Sequence, residues 1–382
     1  MKILFVTRGF PSEKDTMAGN YEAVQAKALA AKGLQVSVLS VYEDEKSPRK
    51  FNLNSQVSHR RVDGIDVYEC TRLFINIRFI RRLNRYLREL SFKHIFNMYV
   101  KMQGVPDIVH AHIVSLAYHT IFAKEKLHIP FVITEHWTKT NVPEIPLWLK
   151  HFSNAYHQAD RVICVSQALS DSLRRNFNVD SIVINNMVDD RFFQSVKVKC
   201  NDNSFKFIAI GAFRRNKGFD ILIDAFAQAH FPPNISLNIV GDGEEREMIE
   251  NKIKQYCLTE QIKLLGVKTP EEVNDLLSNS DCFVLSSRLE TFAIVVIEAM
   301  AKGLPIIATR SGGPETYLQP EHGILIDKEN VEQLTQAMKY MIEHYSEYNS
   351  IDIRKFCHDH FSSDVIADKI IFEYKQVLNQ YE

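Results

Sequence analysis

Two glutamates eight residues apart, Glu290 and Glu298, stand in the stretch Ser286–Thr309, SSRLETFAIVVIEAMAKGLPIIAT. The stretch begins as a polar turn, continues as an apolar helix and leaves through Gly303 and Pro305 into a short strand, Ile306–Ala308. A helix rises about 1.5 Å per residue, so this spacing predicts carboxylates roughly 12 Å apart along the axis, Glu290 at the helix mouth and Glu298 two turns in. One carboxylate then holds one end of an extended ligand and the other its far end. The helix N-terminus between them offers unpaired N–H groups and a positive dipole end, which suits a phosphate. A sugar, a diphosphate and a ribose in a row fit that layout.

Other residues able to do chemistry are histidines and loop glycines. The segment Asp107–His112, DIVHAH, reads as a strand running into a loop, and strand Phe131–Thr134 ends at Glu135-His136-Trp137. A histidine at the carboxyl end of a strand lies where open α/β sheets bind ligands, although such a residue is more often structural. The loop after the first strand, Lys2–Val6, carries Gly9 and Gly19 and occupies the same kind of position. It has no GxGxxG, which counts against a dinucleotide oxidoreductase. The six cysteines are scattered without a CxxC, and they read as buried thiols of a reducing compartment. The segment His358-Asp359-His360 reads as a helix boundary, no D-x-D closes a strand, and no histidines stand at metal-ligand spacing in the sequence.

The elements that must position these groups alternate. Strands are expected at Lys2–Val6, Gln35–Val41, Asp107–His112, Phe131–Thr134, Arg161–Val165 and Ile182–Ile184, with helices between them and a hairpin around Asp63-Gly64. The polar stretch Ser195–Ser204 reads as a linker. The pattern restarts with strands Lys206–Ile210, Ser236–Val240, Ile262–Leu265, Cys282–Leu285, Ile306–Ala308 and Gly323–Ile326. This is α/β, with two doubly wound parallel sheets. The expected domains are 1–190 and 205–360, with a C-terminal helix at 362–380 that packs back on the first.

Composition bounds the partners. The 382 residues suffice for two cores, and 45% apolar with 24% charged residues is ordinary for a globular chain. A net charge of −1 suggests no nucleic acid. Residues 1–190 carry 25 Lys/Arg against 19 Asp/Glu, and 191–382 carry 21 against 28, so the halves are expected to meet different partners. Between Arg72 and Lys93 seven Lys/Arg face one acid, Glu89, while Ile77, Ile80, Leu83, Leu87 and Leu90 recur every three or four residues. A basic amphipathic helix of this kind either packs in the core with a solvated outer face, or meets an anionic membrane surface or captures a lipid-phosphate acceptor. The N-terminal apolar run is too short for a signal peptide and no run spans a bilayer, so the expected location is cytoplasmic, peripheral on the inner membrane face if that helix binds lipid.

In order and spacing these segments resemble the retaining GT-B glycosyltransferases of the E-x7-E family, the family 4-like or group 1 enzymes. The signature is Glu290-TFAIVVI-Glu298. With it come G-x-F-x-x-x-K-G at Gly211–Gly218, VSQALSD at 165–171, NMVDDRFF at 186–193, GDGEE at 241–245, LLG at 264–266 and SGGPET at 311–316. Glutamates eight apart occur by chance; the ordered set covers essentially the whole chain. The resemblance implies two Rossmann-like domains facing across a cleft, and a nucleotide-diphosphate sugar bound by the second. It implies that Glu298 accepts from the ribose hydroxyls and that Glu290 holds sugar hydroxyls with the N–H groups of Phe292 and Ala293. Lys217, behind Gly211, would neutralise the diphosphate. Gly19 would let the first loop approach the phosphate or acceptor, His136 would sit near the reacting sugar, and backbone around Gly266-Val267 would set the base. The implied reaction uses no metal and no cofactor beyond the donor, and moves a hexose to a glycan or lipid-linked oligosaccharide in cell-surface polysaccharide synthesis.

Three positions depart from the family pattern. Ala212 stands where an arginine often assists the lysine, leaving Arg214 and Arg215 as candidate substitutes. Ala293 stands where glycine is frequent, which is tolerable if φ stays negative. The first loop has Ala18-Gly19 for a Gly-Gly pair. A non-catalytic nucleotide-sugar-binding protein of the same fold is the alternative reading, and a UDP-sugar epimerase a weaker one.

Overall fold

The computed structural model describes residues 1–12, 15, 18–44, 56–73, 81–194 and 204–381. The chain divides into two compact units. The first comprises Met1–Val165, Ser170–Ile184 and Ala367–Glu382, and the second Ser166–Leu169 and Asn185–Ile366.

The first unit is built on strands β1 (Lys2–Thr7), β2 (Gln35–Asp44), β3 (Gln56–Val62), β4 (Ile65–Leu73), β5 (Ile108–His112), β6 (Phe131–Glu135), β7 (Arg161–Cys164) and β8 (Ile182–Val183). They form one sheet in the order β3-β4-β2-β1-β5-β6-β7-β8. Every pairing is parallel except β3 with β4, where Val62 pairs Ile65. Asp63 (φ 51) and Gly64 (φ 82) make the two-residue turn between them, the left-handed pair that matches strand twist. Strands β5 and β6 are buried along their whole length, as expected where helices cover both sheet faces. Their polar residues therefore need internal partners. His110 bonds Tyr374 (2.5 Å) and Thr134 (2.7 Å). Tyr374 lies on helix Ser363–Leu378, which is also tied down by Arg161–Glu373 (2.9 Å).

The second unit has β9 (Phe205–Ile210), β10 (Ile235–Val240), β11 (Ile262–Leu264), β12 (Cys282–Leu285), β13 (Ile306–Thr309) and β14 (Gly323–Ile326), all parallel, in the order β11-β10-β9-β12-β13-β14. Its core gathers Phe207, Leu222, Phe226, Leu237, Ile307, Leu334 and Met338. The chain order reverses beside β9, between β10 on one side and β12 on the other. An open sheet offers a crevice at that point, outside the strands' carboxyl ends. In the first sheet the corresponding point lies at β1, between β2 and β5.

Residues 185–190 group with the second unit, whereas the sequence expectation placed them in the first. The Val188 N–H donates to the Phe361 carbonyl (2.8 Å) and the Ser363 hydroxyl to Asp190 (2.6 Å), which holds this segment against the second unit's last helices. Of the expected linker, 195–203 lies outside the described residues.

Candidate active site

The carboxyl end of β12 opens into Ser286-Ser287-Arg288-Leu289-Glu290, and the carboxyl end of β9 into the loop that carries Lys217. The two loops interlock. Ser286 Oγ donates to the Lys217 carbonyl (3.0 Å) and the Arg288 N–H to that of Asn216 (2.8 Å). Gly218 is left-handed (φ +65), and a Cβ there would lie 2.1 Å from the Ser286 carbonyl oxygen, so only glycine permits this approach. Lys217 is thereby aimed at Glu290, with Nζ–Oε1 at 2.7 Å. The same oxygen accepts from Ser287 Oγ at 2.6 Å, and the Glu290 N–H donates to the Ser311 carbonyl at 2.8 Å. Glu290 is buried and Lys217 half-buried. Gly211 closes the base of the loop, where a Cβ would make ordinary contact with the Lys217 stem at 3.6 Å.

The helix after Glu290 starts later than the spacing predicts. It runs Ile294–Ala301, so Glu290 sits in the preceding loop and only Glu298 is on the helix. Thr291 to Ala293 form the approach, and Tyr317 Oη donates to the Phe292 carbonyl at 2.9 Å. Ala293 has φ 70 and ψ 73. The condition of negative φ is not met, so this alanine holds a left-handed conformation that costs an L-residue about 1–2 kcal/mol. No side chain caps this helix. Val267 follows Gly266 (φ +71) beyond β11 and is 65% exposed.

Glu298 is half-buried in the second turn of the helix. Burial raises its carboxyl to about 7, Asp189 adds to the rise, and Arg191 opposes it. Arg191 itself pairs with Asp189 (2.9 Å) and Glu271 (2.5 Å). Arg214 and Arg215 are exposed on the loop after β9, and Arg288 is committed to Asp220 (2.8 and 2.9 Å) and Glu329 (2.9 Å). Asp242 closes a turn through the Gly243 N–H (2.8 Å), and Glu315 reaches back to the Gly312 N–H (2.8 Å).

The first unit has its own group of polar residues at β1, β5 and β6. Gly19 (φ 62) precedes helix Asn20–Ala31, and a Cβ there would fall 2.0 Å from the Gly9 carbonyl oxygen. His136 follows β6, with Nε2 3.8 Å from Glu22 Oε1. Burial, then the charge of Arg8, lowers its imidazole to about 4, so it is neutral at pH 7. Glu135 anchors the loop that carries it. One carboxylate oxygen accepts from the His136 and Trp137 N–H groups (3.0 and 2.9 Å), and the other from the Val114 N–H (3.0 Å) and Tyr156 Oη (2.5 Å). Two loops are thus held by one buried side chain. His112 ends β5, its ring 5.7 Å from that of His136.

Sequence reasoning singles out Glu290, Glu298, Lys217, His136, Gly19 and Gly211, and the fold places Lys217 on Glu290. It does not single out Ser287, Glu135, Glu22 or Arg191. Ser287 stands three residues before Glu290 in a polar turn, a weak signal; the others become visible only once distant strands are side by side.

Two doubly wound, largely parallel α/β units, each with loops at its point of reversal, define the GT-B class of protein. The family model for glycosyl transferases group 1 matches residues 190–355, and that for glycosyltransferase family 4 matches 19–192. An uncharacterized glycosyltransferase of Methanocaldococcus jannaschii is 31% identical over 261 residues, 67% of this chain and 69% of that protein. The chain belongs to this glycosyltransferase family. Among solved structures, sucrose-phosphate synthase of Thermosynechococcus elongatus superposes with a TM-score of 0.81 over 99% of both chains at 21% identity. The Anabaena protein HepE, solved in complex with UDP-glucose, gives 0.71 over 98% of this chain and 100% of its own at 19% identity. At such identities the likeness is one of fold.

Proposed function

We propose that the protein is a retaining, metal-independent hexosyltransferase. It moves a sugar from a nucleotide diphosphate to a glycan or lipid-linked glycan in cell-surface polysaccharide synthesis. The observation that carries this reading is the Lys217–Glu290–Ser287 group at the reversal point of the second sheet. HepE's complex with UDP-glucose supports a nucleotide sugar as the donor class.

In this reading Glu298 takes the ribose hydroxyls and the N-terminus of Ile294–Ala301, with Phe292 and Ala293, takes the diphosphate and sugar. Glu290 holds the sugar hydroxyls. In the free protein Lys217 is neutralised by Glu290; donor binding gives it a second anion, and it stabilises the charge that grows on the leaving diphosphate. The acceptor oxygen attacks the anomeric carbon on the face from which the phosphate leaves. The new C–O bond forms as the C–O bond to phosphate breaks, and the acceptor's proton passes to the departing phosphate oxygen. No carboxylate pair of the glycosidase kind is needed. Gly19 and His136 serve the phosphate or acceptor from the first unit, and Val267 borders the base.

The acceptor is proposed to be lipid-linked because helix Arg81–Gln103 is basic at its start and leaves Leu83, Tyr86 and Leu90 exposed on one side. No described helix is long and apolar enough to cross a membrane, so attachment would be peripheral.

The test is transfer from a panel of labelled nucleotide sugars into membrane extract, with NMR of the product's anomeric centre. Retained configuration is expected, with turnover falling roughly 10²–10³-fold in Lys217→Ala. An inverted product refutes the mechanism, and donor binding without any turnover leaves only a binding protein.

A further inference from the structure

Glu22, His112 and His136 come from the start of a helix, the end of β5 and the loop after β6, and stand together at the reversal point of the first sheet. Each offers one ligand atom, and the three atoms lie within 4.8 Å of one another. Ligands on a tetrahedral zinc stand about 3.3–3.5 Å apart at bonds of roughly 2.0–2.2 Å, so small side-chain rotations would close the set. His112 is fully buried, and neither of its ring nitrogens has a hydrogen-bond partner among the described residues. Its neighbour on β5, His110, has both nitrogens engaged, so an empty imidazole is not the rule in this strand. A buried imidazole left unsatisfied costs about 1–3 kcal/mol, and a bound cation would satisfy one nitrogen.

We propose that Glu22, His112 and His136 form a divalent-cation site of the zinc class, three protein ligands with a fourth position open to water. Tyr21 makes T-shaped ring contacts with both imidazoles, at 6.2 and 5.5 Å. Arg8 is the competing cation: it faces Glu22 and Glu135, and its guanidinium is held 4.5 Å over the Trp137 ring. Occupation takes the imidazole of His136, so metal binding and sugar transfer exclude one another. That consequence rests on the acceptor-side role proposed for His136; the site itself does not.

The full chain is stripped with EDTA and titrated with Co2+, following the visible d–d absorption, and Zn2+ is then added in competition. One Co2+ per chain with the intense bands of a four-coordinate ion is expected, displaced by one Zn2+. His112→Ala and the isosteric Glu22→Gln should each weaken binding at least about tenfold. A thermal shift by UDP in both variants, matching that of the parent, shows that they are folded. No cobalt band in the parent, or equal binding in both folded variants, overturns the site. Saturating Zn2+ should abolish transfer in the parent and spare it in Glu22→Gln relative to that variant's own rate. If Zn2+ binds and transfer persists, the site stands and the role given to His136 falls.

Discussion

Glu290 is held by bonds of different kinds, among them an ion pair to Lys217, a hydroxyl from Ser287 and a backbone tie to Ser311. A donor that draws Lys217 toward its phosphates leaves Ser287, itself fully buried, to hold the carboxylate in place. Ser287→Ala should therefore lower turnover about tenfold or more while the nucleotide's KM changes little, since a hydrogen bond to a charged group is worth about 1.5–3 kcal/mol. Steady-state kinetics with a fixed acceptor would show this split; an equal rise in KM would mean the serine only supports the fold. Glu298 behaves differently. Its carboxyl sits at about 7 in the folded chain against an ordinary 4.5, so the folded state holds a proton that the unfolded state has released. That contribution to stability is full at low pH and is lost as pH rises toward 7. Glu298→Gln should flatten this slope in thermal melts between about pH 5 and pH 8. Nucleotide binding should strengthen over the same range in the parent, because a carboxylate accepts from two ribose hydroxyls and a protonated acid does so less well. Binding that is independent of pH would remove Glu298 from the ribose.

At the scale of elements, the alternation of short apolar runs with helical stretches was enough to place most strands, because strands covered on both faces must be apolar throughout. The stretch Ile306–Thr309 is an example. Helix starts were harder to read. The expected helix mouth at Glu290 moved to Ile294 because residues 290–293 spend their backbone on Ser311, Tyr317 and a left-handed alanine rather than on helical bonds. The basic helix divides into two. Phe92, Ile95, Phe96 and Tyr99 are buried in the first unit, while Leu83, Tyr86 and Leu90 point outward. The core-packing reading holds for the second half, and the proposed lipid contact would fall on the first; Phe74, Ile77, Phe79 and Ile80 lie outside the described residues. Flotation with vesicles containing anionic lipid should fall at least about tenfold on charge reversal at Arg81, Arg82 and Arg85, since each basic residue near such a surface contributes about 1 kcal/mol. Replacing Leu83 and Leu90 by serine should also reduce it; flotation untouched by either change would end the membrane proposal.

For the whole molecule, each unit carries its candidate binding loops at the reversal point of its own sheet, and the charge asymmetry between the halves follows that division. A good donor should stabilise the protein by mass action, about 2.7 kcal/mol at a hundred times its Kd, and Lys217→Ala should remove most of the melting shift caused by the diphosphate. Absence of any shift across UDP-, GDP- and ADP-sugars would set the donor site aside. The sequence by itself determined the α/β class and the two-sheet plan, because glycine turns and strand runs act through neighbours in the chain; it named Gly211, Lys217, Glu290 and Glu298 only through the family motifs, and the fold alone brought Lys217 to Glu290 across 73 residues. Tertiary structure alone decided that residues 185–190 join the second unit, that Glu135 anchors the loop carrying His136, and that Glu22, His112 and His136 meet. Those contacts join residues far apart in sequence, and no local propensity records a partner that only sheet order brings within reach.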